Sequence, residues 1–201
     1  MKTTAILTAL ALVGLVAGSA SALTYEITVT NDIAGGPETG QPFSPPVAAV
    51  HDTNFELWMP GSYASPGLIL VAEEGDPSVL ADEAMSSPDV HAVTIGSAGP
   101  FFDMVTFQIE GEPGDEFSVA WMLGRTNDLF SGVYDITLPP MGTVLDLQAL
   151  AWDGGSEVNT GLIEHLGFYG YPMVGPDEEE VIQMVDTFTV FNDPDHGELT
   201  W

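Results

Sequence analysis

Short runs of alternating apolar and polar residues, each closed by glycine or proline, constrain this chain more than any other feature. Residues 24–30 (TYEITVT) put Tyr25, Ile27 and Val29 on one face, the period of a half-buried strand. Residues 103–110 (DMVTFQIE) alternate in the same way and meet a turn at Gly111-Glu112-Pro113-Gly114. Residues 116–123 (EFSVAWML) follow, so the spacing predicts an antiparallel hairpin of these two runs. Further strands are predicted over 54–59, 90–95, 132–138, 142–151 and 185–191, with 168–173 a weaker candidate. Many short strands with regular turn signals predict a mainly β fold, an antiparallel β-sandwich of about eight strands.

One stretch reads differently. Residues 65–87 predict two short helices. Ser65 caps the first, Pro66 suits its first turn and Gly75 stops it; Asp76 and Pro77 open the second. Leu68, Val71, Ala72, Leu80 and Ala84 give a narrow apolar stripe that would cover one side of a sheet.

The amino terminus reads as an address. Residues 5–16 (AILTALALVGLV) are an apolar core, followed by small residues and an A-x-A site at Ala20-Ser21-Ala22. This predicts a signal peptide over 1–22, a domain over 23–191 and an acidic tail over 192–201. The rival reading is an uncleaved anchor, but the apolar core is shorter than the ~20 residues a span needs. A secreted protein, extracellular or periplasmic, with no stable membrane insertion after cleavage, is therefore expected.

Charge narrows the function classes. The chain has 30 Asp+Glu against 2 Lys+Arg, a net charge of −28. Leader removal takes Lys2 and leaves Arg125 as the only basic side chain. Such a surface has no footprint for nucleic acid. With no cysteine there is no disulfide framework and no thiolate site. The acids are spread along the chain, which predicts a salt-adapted, halophilic surface: at about 1 M salt the Debye length falls to about 3 Å and self-repulsion is muted. A dedicated cation-binding protein is the alternative.

Two loops carry the best candidate site: residues 126–132 (TNDLFSG) and 151–159 (AWDGGSEVN). Asp153 and Glu157 sit four apart across a Gly-Gly turn that can fold both carboxylates towards one point. With Asp128 and loop carbonyls they offer the all-oxygen shell that calcium takes. The plain alternative is three solvated acids among thirty. His51-Asp52 reads first as a structural hydrogen bond, and orientation of a binding loop is the second reading. Residues 192–198 (NDPDHGE) lack the spacing of an EF-hand loop and read as solvated tail.

These loops are part of a wider pattern. Residues 25–31 (YEITVTN), 43–52 (FSPPVAAVHD), 64–68 (ASPGL), 72–77 (AEEGDP), 126–132 and 152–157 (WDGGSE) together resemble the spondin domain, the amino-terminal module of F-spondin and mindin and its stand-alone microbial relatives. The resemblance covers roughly residues 24–191. It implies a β-sandwich like those of calcium-dependent lipid-binding domains, one bound Ca2+, and binding or adhesion as the task. Its acidic ligands, from an S-P-D-W-type and a D-A-G-T-D-type loop, fall on Asp128, Asp153 and Glu157. Thr126-Asn127 replaces the S-P pair, and Glu157 replaces an aspartate, so its carboxylate reaches about one methylene further.

The resulting expectation is a secreted, non-enzymatic binding module with extracellular matrix, a cell-surface protein or a glycan as partner. No G-x-S-x-G elbow is present, and no lysine survives leader removal. Two other classes stay open at this point. One is a polysaccharide hydrolase working with a carboxylate pair in a groove. The other is a calcium-dependent membrane-associating sandwich, with Leu129 and Phe130 as apolar loop tips.

Overall fold

The computed structural model describes residues 3–10, 22–166, 169, 175–185 and 191–199. Its strands are Thr3–Leu10 (β1), Leu23–Thr30 (β2), Val47–His51 (β3), Val90–Ile95 (β4), Met104–Gly111 (β5), Glu116–Met122 (β6), Leu129–Thr137 (β7), Val144–Asp153 (β8) and Gln183–Met184 (β9). The hydrogen-bonded order is β4-β3-β6-β7-β8-β1-β2-β5, every neighbouring pair is antiparallel, and β9 adds to β8. The chain is a mainly β, antiparallel structure, consistent with a sandwich, as the alternation predicts.

One apolar core lies between the two halves of this folded sheet. Tyr25, Ile27 and Val29 of β2 and Phe107 and Ile109 of β5 pack with Phe117, Val119 and Trp121 of β6. A second core lies on the outer side of the β3-β6-β7 half. There Val47, Ala49 and Phe130 meet Leu68, Val71, Leu80 and Ala84 from two helices. In chain order, a single turn at Gly36–Thr39 is α1, and the two helices are Pro66–Glu74 (α2) and Ser78–Met85 (α3). Ser65 caps α2 by accepting the N–H of Leu68, and Gly75 ends it in the left-handed region at φ 67°. Among the described residues no helix is long and apolar enough to cross a membrane.

In the full-length chain the run expected as a leader forms, over Thr3–Leu10, β1 between β2 and β8. Three expectations differ from the structure. The 103–110 and 116–123 runs do not pair with each other: β5 joins β2, while β6 joins β3 and β7. The turn between them is a corner from one half of the sheet to the other. A Cβ on Gly111 would lie 2.7 Å from Leu138 Cδ1 and 2.9 Å from Val50 Cγ1, so only glycine passes there unforced. The strand expected at 54–59 is a loop: it has no ladder partner among the described residues, and Leu57 and Trp58 are buried in the core beneath the helices. Residues 191–199, expected as tail from 192, form a small hairpin, Phe191–Asp193 (β10) with Gly197–Leu199 (β11). The Asp193 carboxylate closes its turn by accepting the N–H groups of Asp195 and His196. Of the weaker strand candidates, 168–173 falls outside the described residues except for Tyr169, and so do 186–190 of the closing strand.

β3 was not expected as a strand. Ala48 and Val50 face the inner core while Val47 and Ala49 face the helices, so both faces are apolar and the alternation vanishes. At its end His51 is fully buried; Nδ1 donates to the Asp52 carbonyl at 2.8 Å, so Nε2 accepts from the Ser118 hydroxyl at 2.9 Å. Ser118 Oγ also accepts the N–H of Asp135, a residue with φ 52°. The pair is therefore a structural lock across β3, β6 and β7. Ser118→Ala removes a donor and an acceptor at once and is expected to cost roughly 1–3 kcal/mol in urea unfolding. A loss below about 0.5 kcal/mol would mean that water replaces the hydroxyl.

Candidate functional site

The β7 and β8 strands run side by side only over Leu129–Gly132 and Leu150–Asp153, and their ends bring the two candidate loops together. Asp128 precedes β7 and Asp153 ends β8. The Asp128 carbonyl accepts the N–H of Gly154 at 3.1 Å, which seats the Gly-Gly turn against the first loop. Gly155 takes φ 72°, with its α-carbon so close to the Glu180 backbone that a Cβ would lie 2.5 Å from the Glu180 oxygen.

Asp128 is the centre of the arrangement. It is 0 % exposed. Its Oδ2 accepts the N–H groups of Ser156 at 2.8 Å and Glu157 at 3.0 Å, and the Ser156 hydroxyl at 3.2 Å. Its Oδ1 accepts Asn159 Nδ2 at 3.2 Å, and the same amide nitrogen donates to Asp153 Oδ2 at 3.0 Å. One amide thus bridges two carboxylates. The other end of that amide, Asn159 Oδ1, is buried and has no hydrogen-bond partner among the described residues.

Asn127 adds a second clasp between the loops. Its Oδ1 accepts the N–H groups of Thr160 and Gly161, and its Nδ2 donates to Glu157 Oε2 at 3.5 Å. Glu157 Oε1 accepts the N–H of Gly175 at 2.9 Å. The Glu157 carboxylate is therefore engaged with the 175 segment and Asn127, whereas Asp128 and Asp153 share one amide. Among the described residues, no three His, Asp or Glu side chains converge closely enough to hold one ion by themselves.

The electrostatics are those of an acidic cluster short of positive charge. Burial, then the charge of Asp128, pushes the Asp153 carboxyl up to about 6, against the hydrogen bond from Gly155. Burial raises Glu157 too, aided by Asp128 and Glu74 and opposed by its bonds to Asn127 and Gly175. Glu73 is raised by burial and by Glu157, Asp128 and Glu74, and is held in part by the Ser156 side chain. In each case hydrogen bonds alone oppose the shift. The buried Arg125 guanidinium donates from Nη2 to the carbonyls of Pro37 and Glu38, both at 3.0 Å, and from Nε to the Tyr169 hydroxyl at 2.7 Å.

Three participants were not among the sequence candidates: Glu73, Asn127 and Asn159. Glu73 had a readable signal. It sits with Glu74 in the last turn of α2, where the helix dipole favours cations and no basic residue is present. Asn127 and Asn159 had none, since amides are ordinary in loops. Leu129 and Phe130 are not loop tips: at 1 % and 0 % exposure they are core residues of β7, and no membrane can reach them. Trp121, at 0 %, is core as well. Beside the acids lies an open depression of about 240 Å³ lined by Tyr63, Ile69, Ser156 and residues 178–180. Compared with protein-family models and with curated proteins, the chain finds no match in either.

Proposed function

We propose that this protein is an exported, non-enzymatic binding module of the spondin type, stabilised by one calcium ion at the junction of the 126–132 and 151–159 loops. The observation that carries the reading is the single amide of Asn159 shared by Asp128 and Asp153, with its own Oδ1 buried and unpartnered among the described residues. The donor set is all oxygen, which suits a hard cation. Asp128 and Asp153 form its nucleus, with loop carbonyls, and Asn159 joins by turning its amide so that Oδ1 replaces Nδ2 between them. Glu157 is the third acidic ligand in this reading, through Oε2, since Oε1 is held by the N–H of Gly175. The ion would supply the positive charge that the cluster lacks and rigidify one end of the sandwich.

A binding role is supported over hydrolysis by the position of the acids. A glycosidase pair has to touch the sugar on both sides of the scissile bond, and Asp128 is sealed from solvent. The partner class remains matrix, a cell-surface protein or a glycan, presented to the acidic end or to the sheet faces.

Terbium tests the site directly, because Trp152 adjoins Asp153 and can sensitise a bound lanthanide. Addition of Tb3+ to the exported protein is expected to give saturable green emission on tryptophan excitation. Calcium should quench it competitively, and magnesium at equal ionic strength should not. Emission that survives in Asp153→Asn would sink the assignment.

A further inference from the structure

The slot held by β1 has an unusual dependence on a segment that also reads as a leader. Thr4 to Leu10 run opposite Thr30 to Thr24 of β2, and Thr3 to Thr8 run opposite Ala149 to Val144 of β8, both without a bulge. Removal of residues 1–22 would empty the slot from end to end. The cut after Ala22 would fall at the first residue of β2.

The consequence for β8 is larger than for β2. β2 keeps β5 along its other edge. β8 pairs with β7 only from Leu150 onwards; from Val133 the two strands part around an open depression of about 410 Å³ lined by Tyr134, Ile136, Gln148 and Leu150. Among the described residues, Val144–Ala149 therefore has backbone pairing on the β1 side alone. A bare strand edge is a template for another chain. Direct closure of β2 onto β8 would make the one parallel pair in an otherwise antiparallel sheet, since both run antiparallel to β1.

We propose that in the exported protein this slot is a strand-acceptor site for an extended segment of another molecule, about eight residues long, apolar at alternate positions and basic at its central outward position. The proposal rests on the reading of residues 1–22 as a removed leader. The chemistry of the guest follows from the register. Its inward positions stand between Val29 and Leu147, and between Ile27 and Leu145. The guest's position in register with Thr28 and Asp146 is directly opposite Asp146 and diagonal to Glu26. A lysine or arginine there would meet both acids within the reach of cross-strand pairs. Backbone hydrogen bonds on two edges provide affinity, and the alternation with one basic residue provides selectivity.

The test begins with the full-length chain made by an exporting host and with the mass of its product. A synthetic peptide copying Thr3–Leu10 with Ile6→Lys is then titrated by fluorescence anisotropy, beside the same peptide with Ile6→Glu. Saturable binding is expected, with the lysine peptide roughly fivefold or more tighter and the difference shrinking in 1 M salt. A double variant, Thr28→Cys with Asp146→Cys, reads the slot independently, because both residues stand opposite Ile6 and the chain has no other cysteine. Across an occupied slot they are about 9.5 Å apart, too far for a disulfide. A product starting at Leu23 that ignores both peptides at millimolar concentration, or that forms the disulfide readily, overturns the proposal and leaves the exported-module reading standing. A product that retains residues 3–10 overturns both, because the slot is then filled by the chain itself.

Discussion

Asp128→Ala is expected to lower the melting temperature by roughly 10 °C. The substitution strands the buried N–H groups of Ser156 and Glu157, and it takes one acceptor each from the Ser156 hydroxyl and Asn159 Nδ2, which keep Glu73 and Asp153. Leaving buried donors unsatisfied costs about 1–3 kcal/mol each in isolation. Relaxation and water entry reduce the sum, so a net loss of about 3–5 kcal/mol is a fair expectation. At about 2–4 °C per kcal/mol for a chain of this size, that gives the stated shift. Asp128→Asn should be far milder, about 1–2 kcal/mol. Its carbonyl can take the three donors of Oδ2, and rotation of the Asn159 amide offers Oδ1 to the new N–H. The contrast separates two roles of one residue: Asp128→Asn should keep the fold and still lose terbium emission. A shift below about 2 °C for Asp128→Ala, measured by calorimetry, would mean that the donors are satisfied by water.

The second large effect is coupled to calcium and pH. With calcium at about 100 times its dissociation constant, mass action adds about 2.7 kcal/mol, or roughly 5–10 °C. Magnesium and sodium at matched ionic strength are the necessary controls, since screening alone stabilises so acidic a chain. Without calcium the pH dependence should be inverted relative to most proteins. The Asp153 carboxyl has its folded value raised from 3.8 to about 6, and Glu73 and Glu157 shift in the same direction. The folded state then holds more protons than the unfolded state between about pH 4 and 6. Stability therefore falls as pH rises through that window, and the cost is fully present at pH 7. Acidification from pH 7 to 5 is expected to raise the melting temperature of the calcium-free protein. With calcium bound the sign reverses, because protons now compete with the ion for Asp153. An Asp153→Asn variant should show neither slope from this group. Equal slopes with and without calcium would rule out Asp153 as a ligand.

Much of this was legible in the sequence, and what was not has identifiable causes. The period-two runs gave β2 and β5 correctly because each has one face in the inner core and one in solvent. The helix pair was readable from Ser65, Pro66 and Gly75, whose effects are local. β3 was hidden because burial on both faces erases the period. The partner of β5 was hidden because a short turn such as 111–114 serves equally as a hairpin or as a corner, and only the packing of Gly111 against Val50 and Leu138 decides. At the site, Asp128 and Asp153 were legible, and their loops do meet. The orientation of Glu157 was not, since it is set by the Gly175 N–H, eighteen residues away in the chain. Asn159 was invisible for a similar reason: an amide acquires importance only from the two carboxylates it touches.

The pairing of β1 with β8 also sets a clock. Thr3 meets Ala149 and Thr8 meets Val144, so this half of the sheet joins residues ~140 apart, a separation that makes closure late in folding. During synthesis at about 5–20 residues per second, roughly 7–28 s pass between the emergence of the first strand and that of its β8 partner. Throughout that interval the amino-terminal segment can pair on its β2 edge alone, and an export apparatus would compete with a half-bound strand. A chain held back until β8 is complete has the opposite prospect, because the segment can then be drawn into the sheet. Order of emergence, rather than affinity, would decide between the two fates of the same eight residues.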